Sequence, residues 1–201
     1  MEEKSRVGSV LRLGARKLPV DVQGYTLSFL SLDELACLRR VARAWKEAAE
    51  SVLMRLEQLV IGEEPLGSGL FSLEKVLGMV MFASLYCRRL RSLRFVSDYL
   101  CRMAMPSSWM ESCARLVTAN ASTLQSLELY CDSSLPEEPL MSAVCSCLSL
   151  RELEWRAELG AEQTRRLTES LPLLESLRCH SAELQTLMTS GLLLTRLKLS
   201  M

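Results

Sequence analysis

The sequence predicts an α/β protein: a short helical module at the N-terminus, then a solenoid of parallel strands joined by helical crossovers. Three observations predict it. A template of leucine, two residues, leucine, one residue and an apolar residue recurs six times, as Leu56-Leu59-Ile61, Leu90-Leu93-Phe95, Leu124-Leu127-Leu129, Leu150-Leu153-Trp155, Leu174-Leu177-Cys179 and Leu194-Leu197-Leu199. The stretches between these motifs carry apolar residues at helical spacing. Leucine fills about a fifth of the 201 residues while aromatics make up 5%, a balance that suits a repeat or helical core better than a β-sandwich or a doubly wound sheet.

In chain order, residues 1–17 read as a flexible basic tail with no apolar segment of the kind a secretory signal needs. Residues 18–52 read as a helical module. Val22, Tyr25, Thr26 and Phe29 fall at i, i+3, i+4 and i+7. Ser31 and Glu34 have the spacing of a capping box, in which each side chain bonds the other residue's backbone N–H at a helix start. From there Leu35, Leu38, Val41, Trp45, Ala49 and Val52 continue at helical spacing, with no Gly or Pro between Tyr25 and Ile61. A unit of about 35 residues cannot bury a core alone, so its apolar surface needs cover from the rest of the chain or from a partner.

Residues 53–201 hold the six strand motifs, whose starts lie 34, 34, 26, 24 and 20 residues apart. Residues two apart on a strand share a face. Leu93 and Phe95 therefore point inward together, Arg94 points outward, and Leu90 enters the same core from the preceding turn. Parallel neighbours need a crossover, usually helical. Leu73, Val76, Leu77, Val80 and Ser84 form the first helical stripe. Ser108 and Glu111 are spaced as a capping box ahead of Trp109, Met110, Cys113, Leu116 and Val117. Pro136 precedes Leu140, Met141 and Val144, and Ala161, Thr164, Leu167 and Leu171 form the last stripe. The final motif ends at Leu199. An uncovered last strand exposes backbone and core, so the repeat domain is expected to be incomplete or covered by a partner there.

Stacking the motifs aligns the outward residues Val60, Arg94, Glu128, Glu154, Arg178 and Lys198 in one row. A neighbouring row holds Gly62, Val96, Tyr130, Arg156, His180 and Ser200. Two readings of the charges stand side by side. In one, the row neutralises itself, with Arg94 beside Glu128 and Arg178 beside Glu154. In the other, Glu128, Glu154 and Glu152, with Tyr130 as an aromatic anchor, grip a basic segment of a protein substrate.

The chemistry that can be excluded is broad. Lys+Arg and Asp+Glu are both 24, which argues against nucleic-acid binding through excess basic charge. The longest apolar stretch, Val76 to Cys87, is about a dozen residues, short of the ~20 a membrane helix needs. Eight cysteines without a secretory signal suggest reduced thiols in a cytoplasmic or nuclear setting. No CxxC pair occurs and His180 is the one histidine, so neither a metal site nor a cofactor is expected. Cys179 and His180 face opposite sides of a strand and cannot form a dyad. An enzyme is therefore not expected.

The repeats resemble leucine-rich repeats, and residues 18–51 resemble an F-box. Leu18, Pro19 and Asp21 match that family's opening. Val22, Leu27 and Leu30 match its apolar helix, Ser31 and Asp33 its polar break, and Leu35, Leu38, Val41 and Trp45 its second helical run. Gln23, Gly24 and Thr26 depart from the family's apolar preference. The resemblance implies a substrate-receptor subunit of an SCF-type ubiquitin ligase that catalyses nothing itself. Leu18, Pro19, Val22, Leu27, Leu30, Leu35, Leu38, Val41 and Trp45 would bind a Skp-type adaptor and, through it, a cullin. Arg94, Glu128, Tyr130, Glu152, Glu154, Arg156, Arg178 and His180 would line the substrate-binding concave face. The alternative is a leucine-rich-repeat scaffold or inhibitor with no ubiquitin role, its N-terminal helices only capping the solenoid.

Overall fold

The computed structural model describes residues 27–28, 30–40, 43–61, 73–95, 107–129, 138–182 and 196–199. The chain divides into two units, Met1–Arg55 and Leu56–Met201. In the first, the capping box at Ser31 forms as spelled in the sequence. Ser31 N–H donates to the Glu34 carboxylate at 2.8 Å and Glu34 N–H donates to Ser31 Oγ at 3.4 Å. It starts helix α1, Leu32–Leu38, which buries Leu32, Leu35 and Leu38.

The helical spacing from Leu35 to Val52 does not form one helix. α1 ends in a tight turn in which Arg40 N–H donates to the Cys37 carbonyl at 3.0 Å. Helix α2 then runs over Arg43–Arg55, past position 52, and buries Trp45, Ala48, Ala49 and Leu53. The break has a physical cause. Arg39 donates to Glu50 at 2.5 Å, with both side chains mostly buried. In an unbroken helix eleven residues would separate them by about 16 Å along the axis. Folding α2 back closes that pair and packs α2 on α1.

The second unit is a six-stranded parallel sheet in sequence order: β1 Gln58–Ile61, β2 Ser92–Phe95, β3 Ser126–Leu129, β4 Glu152–Leu159, β5 Ser176–Ala182 and β6 Arg196–Leu199. The leucine motif is the register. Leu59, Leu93, Leu127, Leu153, Leu177 and Leu197 stand side by side across the sheet. The first five are buried, as are Ile61, Phe95, Leu129, Trp155 and Cys179 two residues on. Leu90, Leu124, Leu150 and Leu174 are buried as predicted, whereas Leu56 is half-exposed. Strands β2 to β5 enter the sheet by one repeated device, two successive N–H groups sharing the carbonyl of the residue just before the preceding strand. Arg91 and Ser92 share Glu57, Gln125 and Ser126 share Arg91, Arg151 and Glu152 share Gln125, and Glu175 and Ser176 share Arg151, all at 2.7–3.0 Å. A repeated entry propagates the register from strand to strand.

Helices α3 Leu73–Tyr86, α4 Ser107–Ala119, α5 Glu138–Cys145 and α6 Ala161–Ser170 form the crossovers between the first five strands. Each packs on the next. The stripes on α4 and α5 are buried as predicted, and Phe95 of β2 meets Trp109 of α4 edge-on at 5.7 Å. Three details differ. The buried row of α3 is Val76, Val80 and Ala83, with Leu77 and Ser84 only half-buried. α4 begins at Ser107, so Ser108 lies inside its first turn rather than capping it, and its carbonyl accepts from Ser112 Oγ at 2.7 Å. Ala161, the first residue of α6, is exposed while Thr164 and Leu167 are buried.

A polar tie inside the apolar core was not anticipated. Asn120, in the turn after α4, is fully buried. Its Nδ2 donates to the Cys87 carbonyl at 3.0 Å and the Leu116 carbonyl at 2.9 Å, and its Oδ1 accepts from Leu90 N–H at 3.0 Å. Thr123 Oγ1 donates to the Leu90 carbonyl at 2.9 Å. Together these side chains fasten the turn before β2 to the turn before β3.

Cys37 is exposed, Cys145 is half-buried, and Cys87, Cys113, Cys147 and Cys179 are buried, all as free thiols. Cys101 and Cys131 lie outside the described residues. Burial disfavours the thiolate, pushing Cys87 and Cys147 up to about 12 and Cys179 up to about 11. In the native protein an alkylating reagent should therefore modify Cys37 at once and these three only after unfolding, as mass spectrometry at successive times will read. Rapid native labelling of Cys87 or Cys147 would contradict their burial. The pH dependence has a definite sign. Below the ordinary thiol value of 9.0 both states keep these protons. As pH rises from there toward about 11 for Cys179 and about 12 for Cys87 and Cys147, the unfolded chain alone releases them and stability falls.

Candidate functional site

The outward face of the sheet is set by strand alternation. With the leucines inward, β2 to β5 present a row of charged residues outward, Arg94, Glu128, Glu154 and Arg178, in adjacent register. Glu128 and Glu154 are direct neighbours, an arrangement that is destabilising when uncompensated. The flanking arginines compensate it. Arg94 Nε lies 2.5 Å from Glu128 Oε2, and Arg178 Nη1 lies 2.6 Å from Glu154 Oε2. Each glutamate is largely covered, and each arginine is more exposed than its partner. The self-neutralised pairing considered from the sequence is the one formed.

Glu152, one step earlier on β4, is exposed and accepts from Ser126 Oγ at 3.3 Å. A shallow hollow of about 200 Å³ opens here, lined by Ser126, Glu128, Glu152, Glu154, Ser176 and Arg178. Two positive and three negative groups, Arg94 and Arg178 against Glu128, Glu152 and Glu154, leave one net negative charge among the described side chains. On the strand-entry row, Arg91 pairs with Glu57 at 3.6 Å and Arg151 pairs with Glu175. The face thus offers hydroxyls and carboxylate oxygens in a polar trough suited to accepting hydrogen bonds from another chain.

The second expected row is interrupted. β4 and β5 pair regularly through Trp155 and Cys179 and resume at Glu158 and Ser181, so two residues of β4, Arg156 and Ala157, oppose His180 alone. Arg156 does not stand in simple register beside His180, because a bulge bends a strand locally and re-aims it. The side chains of Arg156 and His180, and all of Tyr130, lie outside the described residues. The site therefore gathers Arg94, Glu128, Glu152, Glu154 and Arg178, with Ser126 and Ser176 as members the sequence reading missed. Both serines precede a strand leucine, a position visible in the repeat but without a charge to mark it.

In the first unit, Leu27, Leu35, Leu38 and Trp45 are buried and Leu30 is half-buried. Leu18, Pro19, Val22 and Val41 lie outside the described residues. Among the described residues, no cluster of His, Cys, Asp and Glu could hold a metal ion, and no helix is long and apolar enough to cross a membrane. No protein-family model matches the chain, and no curated protein matches it in sequence.

Proposed function

We propose that this chain is a non-catalytic substrate receptor of an SCF-type ubiquitin ligase. In this reading an F-box over residues 18–52 binds a Skp-type adaptor, and a leucine-rich-repeat solenoid over 53–201 holds a protein substrate. The observation that carries it is the one-to-one match of six leucine motifs to six successive parallel strands, with their charged residues outward. The helical unit that precedes them in the sequence, with its Ser31 capping box and the break before α2, adds support. Such a receptor acts by proximity, holding the substrate at high effective concentration near the ubiquitin-charged enzyme. The trough around Glu128, Glu152 and Glu154 would take a basic segment of the substrate.

The alternative is a protein-binding scaffold with no ubiquitin role. The burial of Leu27, Leu35, Leu38 and Trp45 favours it to the extent that those side chains are occupied by packing. One experiment separates the readings. The full chain is used to pull a Skp-type adaptor from solution, alongside the Leu18→Ala/Pro19→Ala double variant and the Glu128→Lys/Glu154→Lys double variant. Adaptor capture by the parent and by the charge reversal, with loss in the first variant at unchanged circular dichroism, supports the receptor. No capture by the parent leaves the scaffold reading. The charge reversal in turn should lose proteins co-captured through the sheet face.

A further inference from the structure

Two rows of residues share the outward side of the sheet over β3 to β6. One runs Ser126, Glu152, Ser176 and Arg196, the other Glu128, Glu154, Arg178 and Lys198. The signs separate along them. On β3 and β4 every charged position of these rows is acidic, and on β5 and β6 every one is basic. Ion pairs use part of this charge. Glu128 and Glu154 are largely covered and are held by Arg94 and Arg178. Glu152 differs from both, being exposed and bonded to a neutral hydroxyl, Ser126 Oγ at 3.3 Å. Arg196 and Lys198 stand in register with Ser176 and Arg178, positions that bring no carboxylate. Glu175, one residue before these rows on the chain of β5, is paired with Arg151.

The strand spacing converts this separation into a length. β4 and β6 lie two strand spacings apart, about 9.6 Å. Between Glu152 and Arg196 the same row holds Ser176, which lines the hollow of about 200 Å³ and, being small, leaves that space open. A segment in the polyproline II conformation rises about 3.1 Å per residue and returns to the same side at every third residue, so residues three apart project together about 9.3 Å apart. The two lengths match. In a β-strand the residues that share a side are two or four apart, about 6.6 or 13 Å, and neither spans the gap as well. We propose that this face reads a substrate segment bearing a basic and an acidic residue three positions apart, the basic one at Glu152 and the acidic one at the Arg196 and Lys198 positions. The inference rests on the sheet face as the substrate-binding surface and narrows the segment it takes. A purely basic segment crossing these strands meets like charge on β5 and β6, whereas a segment of both signs is attracted at both ends, and its direction across the strands is fixed.

Selection of random peptides displayed on phage against the immobilised full chain tests this. Enriched peptides should carry Lys or Arg three residues from Asp or Glu, in one consistent order. A synthetic peptide of the enriched sequence should bind the full chain, as fluorescence anisotropy will read, and moving its two charges to adjacent positions should weaken binding about tenfold. Glu152→Lys should weaken it to a similar degree, and a peptide with glutamate in place of its basic residue should recover the loss. The Arg196→Glu/Lys198→Glu double variant should be rescued in the same way by a peptide with lysine in place of its acidic residue. Enrichment of purely basic peptides that Glu128→Lys/Glu154→Lys abolishes overturns the proposal and keeps the broader reading of the trough. No enrichment, or binding indifferent to all of these charge reversals, overturns both. Binding that ignores the spacing, or charge reversals that the exchanged peptides do not rescue, overturns the proposal alone.

Discussion

Replacing Asn120 by alanine is expected to destabilise the protein by about 3 kcal/mol, since each buried backbone group stripped of its partner costs roughly 1–3 kcal/mol. The affected groups are the Leu90 N–H and the carbonyls of Cys87 and Leu116. For a chain of this length the loss corresponds to a fall in Tm of about 6–12 °C, which thermal denaturation followed by circular dichroism will read. Asn120→Asp keeps an acceptor for Leu90 N–H but turns a carboxylate toward two carbonyls. Burial and those carbonyls raise its folded pKa, so the stability linked to its proton is present below the unfolded value of about 4 and lost as pH rises. The aspartate variant should therefore gain on the parent in acid. A shift below about 2 °C for the alanine variant would mean that the two turns do not depend on this amide.

The contrast between Asn120 and the leucines explains how much of the fold was legible. In a stacked parallel sheet every strand meets the same surroundings, so the same residue type returns at the same position, and the leucine motif can be read as register before any coordinate is known. Leu93, Leu127, Leu153 and Leu177 fall side by side for that reason. Asn120 serves one junction only, and its partners Cys87 and Leu90 lie 30 or more residues earlier. In the sequence it is indistinguishable from an ordinary turn asparagine. The break between α1 and α2 escaped detection because no Gly or Pro marks it. It is decided by the Arg39–Glu50 pair and the burial of Leu32, Leu35 and Leu38, both long-range effects. The phase error on α3 has another cause. A helix apolar on all sides offers no polar stripe to fix its rotation, so Ala83 and Ser84 could not be told apart as core and flank.

The candidate site was legible to the same depth. Its strand alternation placed Arg94, Glu128, Glu154 and Arg178 outward, and its stacking placed each arginine beside a glutamate. The bulge after Trp155 was not legible, because WRAEL contains no glycine to announce the extra residue. The exposed pairs themselves contribute little to stability, about 1 kcal/mol or less each. Their value lies in setting the sign and hydrogen-bonding character of the trough.

Trp155→Ala is expected to cost about 4 kcal/mol, within the range for deleting a large aromatic from a core, while Trp155→Phe should cost only about 1 kcal/mol. Trp155 is fully buried in the column of Phe95, Leu129 and Cys179, and its indole Nε1 has no hydrogen-bond partner among the described residues. Phenylalanine gives up part of the ring but also removes a buried donor that carries a desolvation cost of about 1–3 kcal/mol. The two effects offset. The column also trades volume between neighbours, since the largest side chain stands beside Cys179, one of the smallest. Cys179→Leu alone should overpack against the indole and cost about 1–3 kcal/mol. In a Trp155→Leu background the same change fills the space that the indole vacated. Urea denaturation of the parent, both single variants and the double variant gives the coupling directly, and it should favour the double variant by at least 1 kcal/mol over the sum of the singles. Strict additivity would show that Trp155 and Cys179 do not share a packing site, and the register that places them side by side in the core would have to be wrong.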